Sequence, residues 1–168
     1  MRRLILSFFG AGYLRPAPGT WGSLAAFIPA WGLFQIGGAY ALAAAALVLG
    51  WLGIGLIRAE TAGGDEDPGW IVLDEVVGQW IALLHVAFGA ARVGVAPWEL
   101  WPGLLVAFLA FRAFDIWKPW LVGKADRRGD AEGVMLDDVW AGVFAAIVVL
   151  ILAAIAHAGF IAAVPDQS

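Results

Sequence analysis

An uncharged run of nineteen residues, Ala39 to Ile57, is the feature that most constrains what this chain can fold into. An α-helix of that length spans the hydrocarbon core of a bilayer, which is ~30 Å thick. Backbone polar groups inside lipid must be satisfied within their own segment, so a single run of this kind must be helical. The composition agrees, because 62% of the 168 residues are hydrophobic and 14% are charged, with a mean hydropathy of +0.83. The sequence therefore predicts an integral membrane protein built from helices.

Four further apolar segments extend this prediction to an all-α, polytopic membrane bundle of about five helices, in a single domain over residues 1–168. Gly37 and Gly38 separate the first two segments and predict a tight hairpin. Pro68, directly after Asp67, predicts the start of the third helix. Residues 122–133 are expected to form a polar loop. The predicted apolar segments are Trp21–Ile36, Ala39–Ile57, Val76–Ala91, Leu100–Phe114 and Val139–Val164.

The basic residues predict the orientation of the bundle, because cytoplasmic loops carry an excess of Lys and Arg. With the N-terminus inside, five spans place nine of the ten basic residues on the cytoplasmic side and leave only Arg92 outside. We therefore expect the N-terminus and both acidic stretches of the chain to face the cytoplasm. The absence of cysteine excludes thiol catalysis and disulfides.

A short acidic pattern occurs twice, as DPGWIVLDE at 67–75 and as DAEGVMLDD at 130–138. Neighbouring carboxylates beside hydrophobic helices repel each other unless something positive neutralises them. Mg²⁺ prefers carboxylate oxygens and commonly shares its coordination sphere with phosphate. Acids at helix starts can also simply cap backbone N–H groups, but the repetition of the pair favours a metal site. The predicted metal ligands are Asp67, Asp74, Glu75, Asp137 and Asp138.

Basic and hydroxyl side chains are expected near the same membrane face as these acids. The stretch FRAFDIWKPW at 111–120 carries Arg112, Asp115 and Lys118 at three-residue spacing, which predicts one shared helical face. Arg binds phosphate oxygens through a bidentate fork, and a helix starting in the Pro-Gly-Thr turn offers backbone N–H groups to an anion. Such residues also begin helices or extend to headgroups without a catalytic role. The predicted phosphate-binding residues are Thr20, Arg112 and Lys118.

These residues leave three classes of protein open. The first is a Mg²⁺-dependent enzyme acting on a membrane phosphate ester, the second a divalent-cation transporter, and the third a structural membrane protein with helix-capping acids. A transporter needs polar groups near the bilayer midplane, whereas these acids are expected at one face. His85 and His157 lie inside apolar runs, away from the basic residues, so a histidine nucleophile is not expected.

Four motifs, in this order and spacing, resemble the phosphatidylglycerophosphatase A family over most of residues 14–145. They are APGTWGS at 17–23, DPGWIVLDEVVGQW at 67–80, FRAFDIWKPW at 111–120 and GVMLDDVWAG at 133–142. The resemblance implies a Mg²⁺-dependent enzyme of the bacterial inner membrane that converts phosphatidylglycerophosphate to phosphatidylglycerol and phosphate at the cytoplasmic face. The resemblance also implies that the protein's partners are membrane lipids and that it does not bind nucleic acid. The implied catalytic residues are Asp74, Glu75, Asp115, Asp137 and Asp138, and which of them hold metal and which acts as base stays open.

Overall fold

A computed structural model describes residues 1–64 and 68–163, with side chains up to Gly159. All regular secondary structure in these residues is helical, which confirms the predicted all-α class. Two short 3₁₀ turns, Ala11–Tyr13 and Pro97–Leu100, connect longer elements. The helices are α1 (Arg2–Leu6), α2 (Pro18–Ala25), α3 (Phe27–Thr61), α4 (Leu73–Val93), α5 (Trp101–Trp117), α6 (Leu121–Asp126) and α7 (Ala131–Ala163).

Four helical stretches of the described chain are long and apolar enough to cross a membrane. Large hydrophobic side chains such as Ile28, Leu47 and Trp51 cover their outer surface and are exposed. A soluble protein rarely presents so much contiguous apolar surface, so this face suits contact with lipid. The four stretches are Pro18–Thr61, Leu73–Val93, Pro97–Trp117 and Ala131–Gly159.

The first of these stretches is broken at the predicted glycine pair. Gly37 leaves helical geometry, and Gly38 has φ 60° and ψ −144°, a conformation that residues with a side chain rarely adopt. Before the break, Trp31 reaches Trp98, which precedes α5, with ring centroids 6.4 Å apart. The first apolar segment therefore runs toward the end of the bundle where α5 begins.

After the break the chain runs back in the opposite direction. Tyr40 packs against Phe88, near the end of α4, with ring centroids 5.4 Å apart. Further along α3, Gly50 packs against Val77, near the start of α4. The second half of α3 is therefore antiparallel to α4, and the predicted hairpin divides the first stretch into two apolar segments. This agrees with the prediction of about five.

The helices α4 and α7 pack closely because glycines lie at their crossing. A Cβ atom on Gly78 would lie 2.6 Å from the carbonyl oxygen of Asp138 and 2.5 Å from the ring of Phe111. A Cβ atom on Gly142 would in turn contact the carbonyl oxygen of Gly78. Small residues at such a crossing let two backbones approach each other directly. The two acidic pairs are thereby brought side by side.

The predicted start of the third helix at Pro68 is wrong, since α4 begins at Leu73. The preceding residues form a loop that tertiary contacts hold in place. The Val72 N–H donates to the Leu6 carbonyl at 2.9 Å, and Trp70 stacks on Tyr13 with ring centroids 5.7 Å apart. Asp74 and Glu75 consequently lie in the first turn of their helix.

The second acidic pattern folds differently from the first. Here α7 begins at Ala131, because Asp130 Oδ1 accepts a hydrogen bond from the Gly133 N–H at 2.7 Å and caps the helix. Asp137 and Asp138 therefore lie about two turns inside α7, not at its start. The predicted loop at 122–133 also contains a short helix, α6. Helix capping cannot explain the second acidic pair.

Candidate active site

Helix ends bring the charged residues of the motifs to one end of the bundle. The start of α4 supplies Asp74 and Glu75, and the N-terminal part of α7 supplies Asp137 and Asp138. The last turns of α5 add Arg112 and Asp115, and Lys118 follows directly after this helix. Of the predicted metal ligands, Asp67 lies outside the described residues.

Asp74, Glu75 and Asp138 form the most compact acidic group, termed here the carboxylate triad. Each offers one oxygen atom, and these three oxygens lie within 4.8 Å of one another. Asp74 is 5% exposed and Asp138 is 3% exposed. Glu75 Oε2 and Asp138 Oδ1 are buried without a hydrogen-bond partner in the described part of the chain. Because hard divalent cations bind carboxylate oxygens at short range, the triad can serve as ligands for one.

Arg112 is a basic side chain that interacts electrostatically with Glu75 and Asp138 of the triad. Its Nη1 atom forms an ion pair with Asp115 Oδ2, and both side chains are mostly buried. Its Nε atom is also buried and has no hydrogen-bond partner among the described residues. Asp115 in turn interacts electrostatically with Asp138. The pair of Arg112 and Asp115 therefore forms a second layer around the triad.

The first turn of α2 closes the site on the side of Glu75. A Cβ atom on Gly19 would contact Glu75 Oε1 and would lie 3.0 Å from Arg112 Nη1. The backbone itself therefore approaches both charged groups, and the N–H groups of this turn carry the partial positive charge of a helix N-terminus. Thr20 is the next residue in this turn and is half-buried. Gly19 was not predicted as a site residue, although the Pro-Gly-Thr turn contained the signal.

The three-residue spacing predicted that Lys118 shares a helical face with Arg112 and Asp115. In the structure Lys118 does not continue this face. The α5 helix ends at Trp117, and Lys118 takes a left-handed conformation with φ 51°. Its Nζ atom donates to Asp137 Oδ2 at 2.9 Å and also to Asp126, a residue that the sequence analysis missed. Burial alone would lower the pKa of Lys118, but these two carboxylates raise the pKa above the usual range. Asp137 is thereby directed to Lys118, beside the triad.

Gln79 is a further polar residue that the sequence analysis missed. It is fully buried, one turn after Glu75 on the same face of α4. Neither of its side-chain polar atoms has a hydrogen-bond partner among the described residues. Its sequence context is uniformly apolar, so only the packing of the helices shows that this amide is enclosed.

The described site holds more carboxyl groups than basic groups. The triad and Asp115 together present four carboxylates to the guanidinium of Arg112. Buried charges of one sign are unfavourable unless a cation compensates them. Fold and site together define a polytopic helical membrane protein with a buried, carboxylate-rich site at one end of its bundle.

Comparisons with known proteins identify the family. The family model described as Phosphatidylglycerophosphatase A matches residues 4–153. A Haemophilus influenzae protein named Phosphatidylglycerophosphatase A is 38% identical over 84% of this chain and 82% of its own length. The Escherichia coli protein of the same name is 36% identical over 82% and 75% of the two chains. A Bacteroides thetaiotaomicron protein, provisionally named a phosphatidylinositol-3-phosphatase, is 39% identical over 88% and 91%.

This chain therefore belongs to the phosphatidylglycerophosphatase A family and is an enzyme, a phosphatase. The family resemblance that four sequence motifs had indicated is confirmed. The comparison with solved structures gave no match.

Proposed function

We propose that this protein hydrolyses phosphatidylglycerophosphate to phosphatidylglycerol and inorganic phosphate, with Mg²⁺ as cofactor, at the cytoplasmic face of a bacterial inner membrane. The observation that carries the proposal is the carboxylate triad beside the guanidinium of Arg112. Relatives named for this activity are similar over most of their length. A cation site next to an anion-binding group can stabilise the charge that develops when a phosphate monoester is hydrolysed.

The donor set of the triad fits Mg²⁺. Asp74, Glu75 and Asp138 would hold the ion, since their oxygens are close together and Glu75 and Asp138 each have a buried oxygen without a hydrogen-bond partner among the described residues. Asp137 would contribute less directly, because its Oδ2 atom already accepts a hydrogen bond from Lys118. When bound, Mg²⁺ would polarise a phosphoryl oxygen and lower the pKa of a coordinated water.

Binding of the phosphate group falls to the basic residues and to α2. Arg112 would donate a bidentate pair of hydrogen bonds to two non-bridging oxygens, with Asp115 holding the guanidinium in orientation. The first-turn N–H groups of α2 and the hydroxyl of Thr20 would donate to a third oxygen. Lys118 would add a point charge at the edge of the site.

The reaction also needs a group that moves a proton. As the attacking water forms its bond to phosphorus, its proton passes to a carboxylate outside the triad, either Asp115 or Asp137. The bond between phosphorus and the glycerol oxygen breaks, and the same carboxylate returns the proton to that leaving oxygen. Both candidates interact electrostatically with the basic residues of the site.

The charge distribution supports the proposed cytoplasmic orientation. Arg58 pairs with Glu132 at the same end of the bundle as the triad, and Arg2 and Arg3 each donate to Glu60 at 2.6 Å there. Arg92 lies in the last turn of α4, at the opposite end. An excess of basic residues marks the cytoplasmic side. The clustering of the acids at one end also argues against a transport pathway, which needs polar groups near the midplane.

Phosphate release from purified protein in detergent tests the proposal. Phosphatidylglycerophosphate is supplied with Mg²⁺, with EDTA, and with Mg²⁺ restored after EDTA, and phosphatidylinositol 3-phosphate is supplied in parallel. We expect release from phosphatidylglycerophosphate that EDTA abolishes and Mg²⁺ restores. Release that is insensitive to EDTA would contradict the cofactor, and faster release from the inositol lipid would contradict the substrate. Absence of release from both lipids would contradict the proposed activity.

A further inference from the structure

The corner between α5 and α6 has an unusual backbone. Lys118 and Trp120 have φ values of 51° and 46°, in the left-handed region that residues with side chains rarely occupy. Pro119 lies between them. Gly123, inside α6, has no room for a side chain, because a Cβ atom there would contact the carbonyl oxygen of Lys118. The corner therefore folds α6 directly back over Lys118.

This geometry places Asp126, the last residue of α6, against the ammonium group of Lys118. Asp137 of α7 accepts a second hydrogen bond from the same Nζ atom at 2.9 Å. The Lys118 side chain remains 31% exposed, so the two carboxylates do not enclose it completely. Lys118 also interacts electrostatically with Asp115, the partner of Arg112. The clamp formed by Asp126 and Asp137 therefore holds a positive charge beside the proposed phosphate-binding group.

An ammonium group has three N–H donors, and two of them are used by these carboxylates. A lysine side chain otherwise samples many rotamers, so an unclamped ammonium would be poorly placed for a specific contact. We propose that Asp126 is a positioning residue that fixes Lys118, so that its third donor is available to the phosphate group of the substrate. This inference rests on the proposed function, because it requires a phosphate ester in the site.

Removal of the charge on Asp126 has two effects of opposite sign. Electrostatics alone predicts tighter binding of an anionic substrate, since one nearby negative charge is lost. Loss of positioning predicts weaker binding, because Lys118 is then free to leave the site. The direction of the change in KM therefore distinguishes the electrostatic effect from the loss of positioning.

The experiment compares wild type, Asp126→Asn, Lys118→Met and the double variant, with Asp130→Asn as the matched control. Asp130 is a half-buried Asp of the same connection that pairs with Arg128, and Asn also caps helices well. The measurements are kcat and KM for phosphatidylglycerophosphate, inhibition by inorganic phosphate, and thermal unfolding. For Asp126→Asn we expect KM and the phosphate inhibition constant to rise on the order of tenfold, with a smaller change in kcat. In the Lys118→Met background, Asp126→Asn should add nothing, and Asp130→Asn should behave as wild type.

A KM that falls or stays unchanged in folded Asp126→Asn would overturn the inference, as would additive effects of Asp126→Asn and Lys118→Met. If Asp126→Asn does not fold, Asp126→Glu carries the test, since it keeps the charge but displaces the carboxylate. Wild-type KM and phosphate inhibition in that variant would also overturn the inference. Failure of the proposed function is distinguishable, because the wild type itself would then release no phosphate.

Discussion

Gly19 lies where the backbone of α2 meets both Glu75 and Arg112. A larger residue would displace one of these groups, because the space that its Cβ atom needs is already filled by Glu75 Oε1 and the Arg112 guanidinium. The nearby Ser23 hydroxyl donates to the Gly19 carbonyl at 2.8 Å, which fixes this turn further. The relative position of carboxylate and guanidinium therefore depends on one residue without a side chain.

Gly19→Ala should accordingly reduce kcat/KM on the order of 100-fold, since displacements of about 1 Å in a site can cost that much. Its thermal unfolding should change little, because the displaced groups lie at one end of the bundle. Gly32→Ala is the matched control, as a Cβ atom there meets nothing within 4 Å. Wild-type kinetics in Gly19→Ala would show that α2 does not approach the site as described.

The residues of the site that could be predicted from the sequence are those with a local signal. The duplicated acidic pair predicted the triad members Asp74, Glu75 and Asp138, and the three-residue spacing predicted that Arg112 and Asp115 share a helical face. Gln79 and Asp126 carry no local signal. The enclosure of Gln79 depends on how helices pack around α4. The contact of Asp126 with Lys118 depends on a corner whose left-handed backbone conformation is rare for residues with a side chain.

At the scale of the helices, the crossing of α4 and α7 determines whether the two acidic pairs form one site. Gly78 and Gly142 bring the backbones together just after Glu75 and Asp138. A methyl group added at Gly142 would contact the carbonyl oxygen of Gly78. This oxygen belongs to the backbone of α4 and cannot readily move away. The two helices would have to separate, and overpacking of this kind typically costs about 1–3 kcal/mol.

We expect Gly142→Ala to lower the thermal stability and to reduce phosphate release together, because both depend on the same crossing. Gly89→Ala is a control on α4 itself, where an added Cβ atom meets nothing within 4 Å. That variant should be neutral or more stable by about 0.5–1 kcal/mol, since alanine favours the helix. Unfolding curves and turnover in detergent measure both. Full activity in Gly142→Ala would contradict the close crossing.

Helix starts were the least predictable elements. The pattern at 67–75 and its repeat at 130–138 look alike, yet residues 68–72 form a loop and residues 131–136 are helical. In the first case tertiary contacts hold the loop, because the Val72 N–H donates to the Leu6 carbonyl and Trp70 stacks on Tyr13. In the second case the cause is local, because Asp130 caps α7. The capping residue can be recognised in the local sequence, whereas the tertiary contacts cannot.

For the molecule as a whole, the apolar runs, the Gly37–Gly38 break and the basic residues were enough to predict the class, the hairpin and the end of the bundle that carries the site. These signals are strong because lipid demands helices and because a glycine pair in such a run favours a turn. The structure adds that Arg58 and the triad lie at the same end of the bundle. The predicted orientation remains a prediction.

Reporter fusions test that orientation. A reporter after Ser168 should lie outside the cytoplasm, and one inserted at Gly64 should lie inside, because an odd number of spans separates the C-terminus from the N-terminus. An enzyme reporter that is active only in the cytoplasm and one that is active only outside it should give opposite patterns at the two positions. Cytoplasmic signals from both positions would mean that one of the five apolar segments does not cross.

Carboxylates from α4 and α7 are proposed to form a single metal-dependent site, and a double-mutant cycle tests this proposal. Glu75→Gln, Asp138→Asn and the double variant are compared with wild type for Mn²⁺ binding by electron paramagnetic resonance and for phosphate release. Each single variant should weaken Mn²⁺ binding and reduce turnover by several orders of magnitude, and the double variant should be little worse, because residues that act as a unit are not additive. Thermal stability should be retained, since loss of one carboxylate relieves repulsion. Near-wild-type Mn²⁺ binding and turnover in either single variant would contradict the shared site.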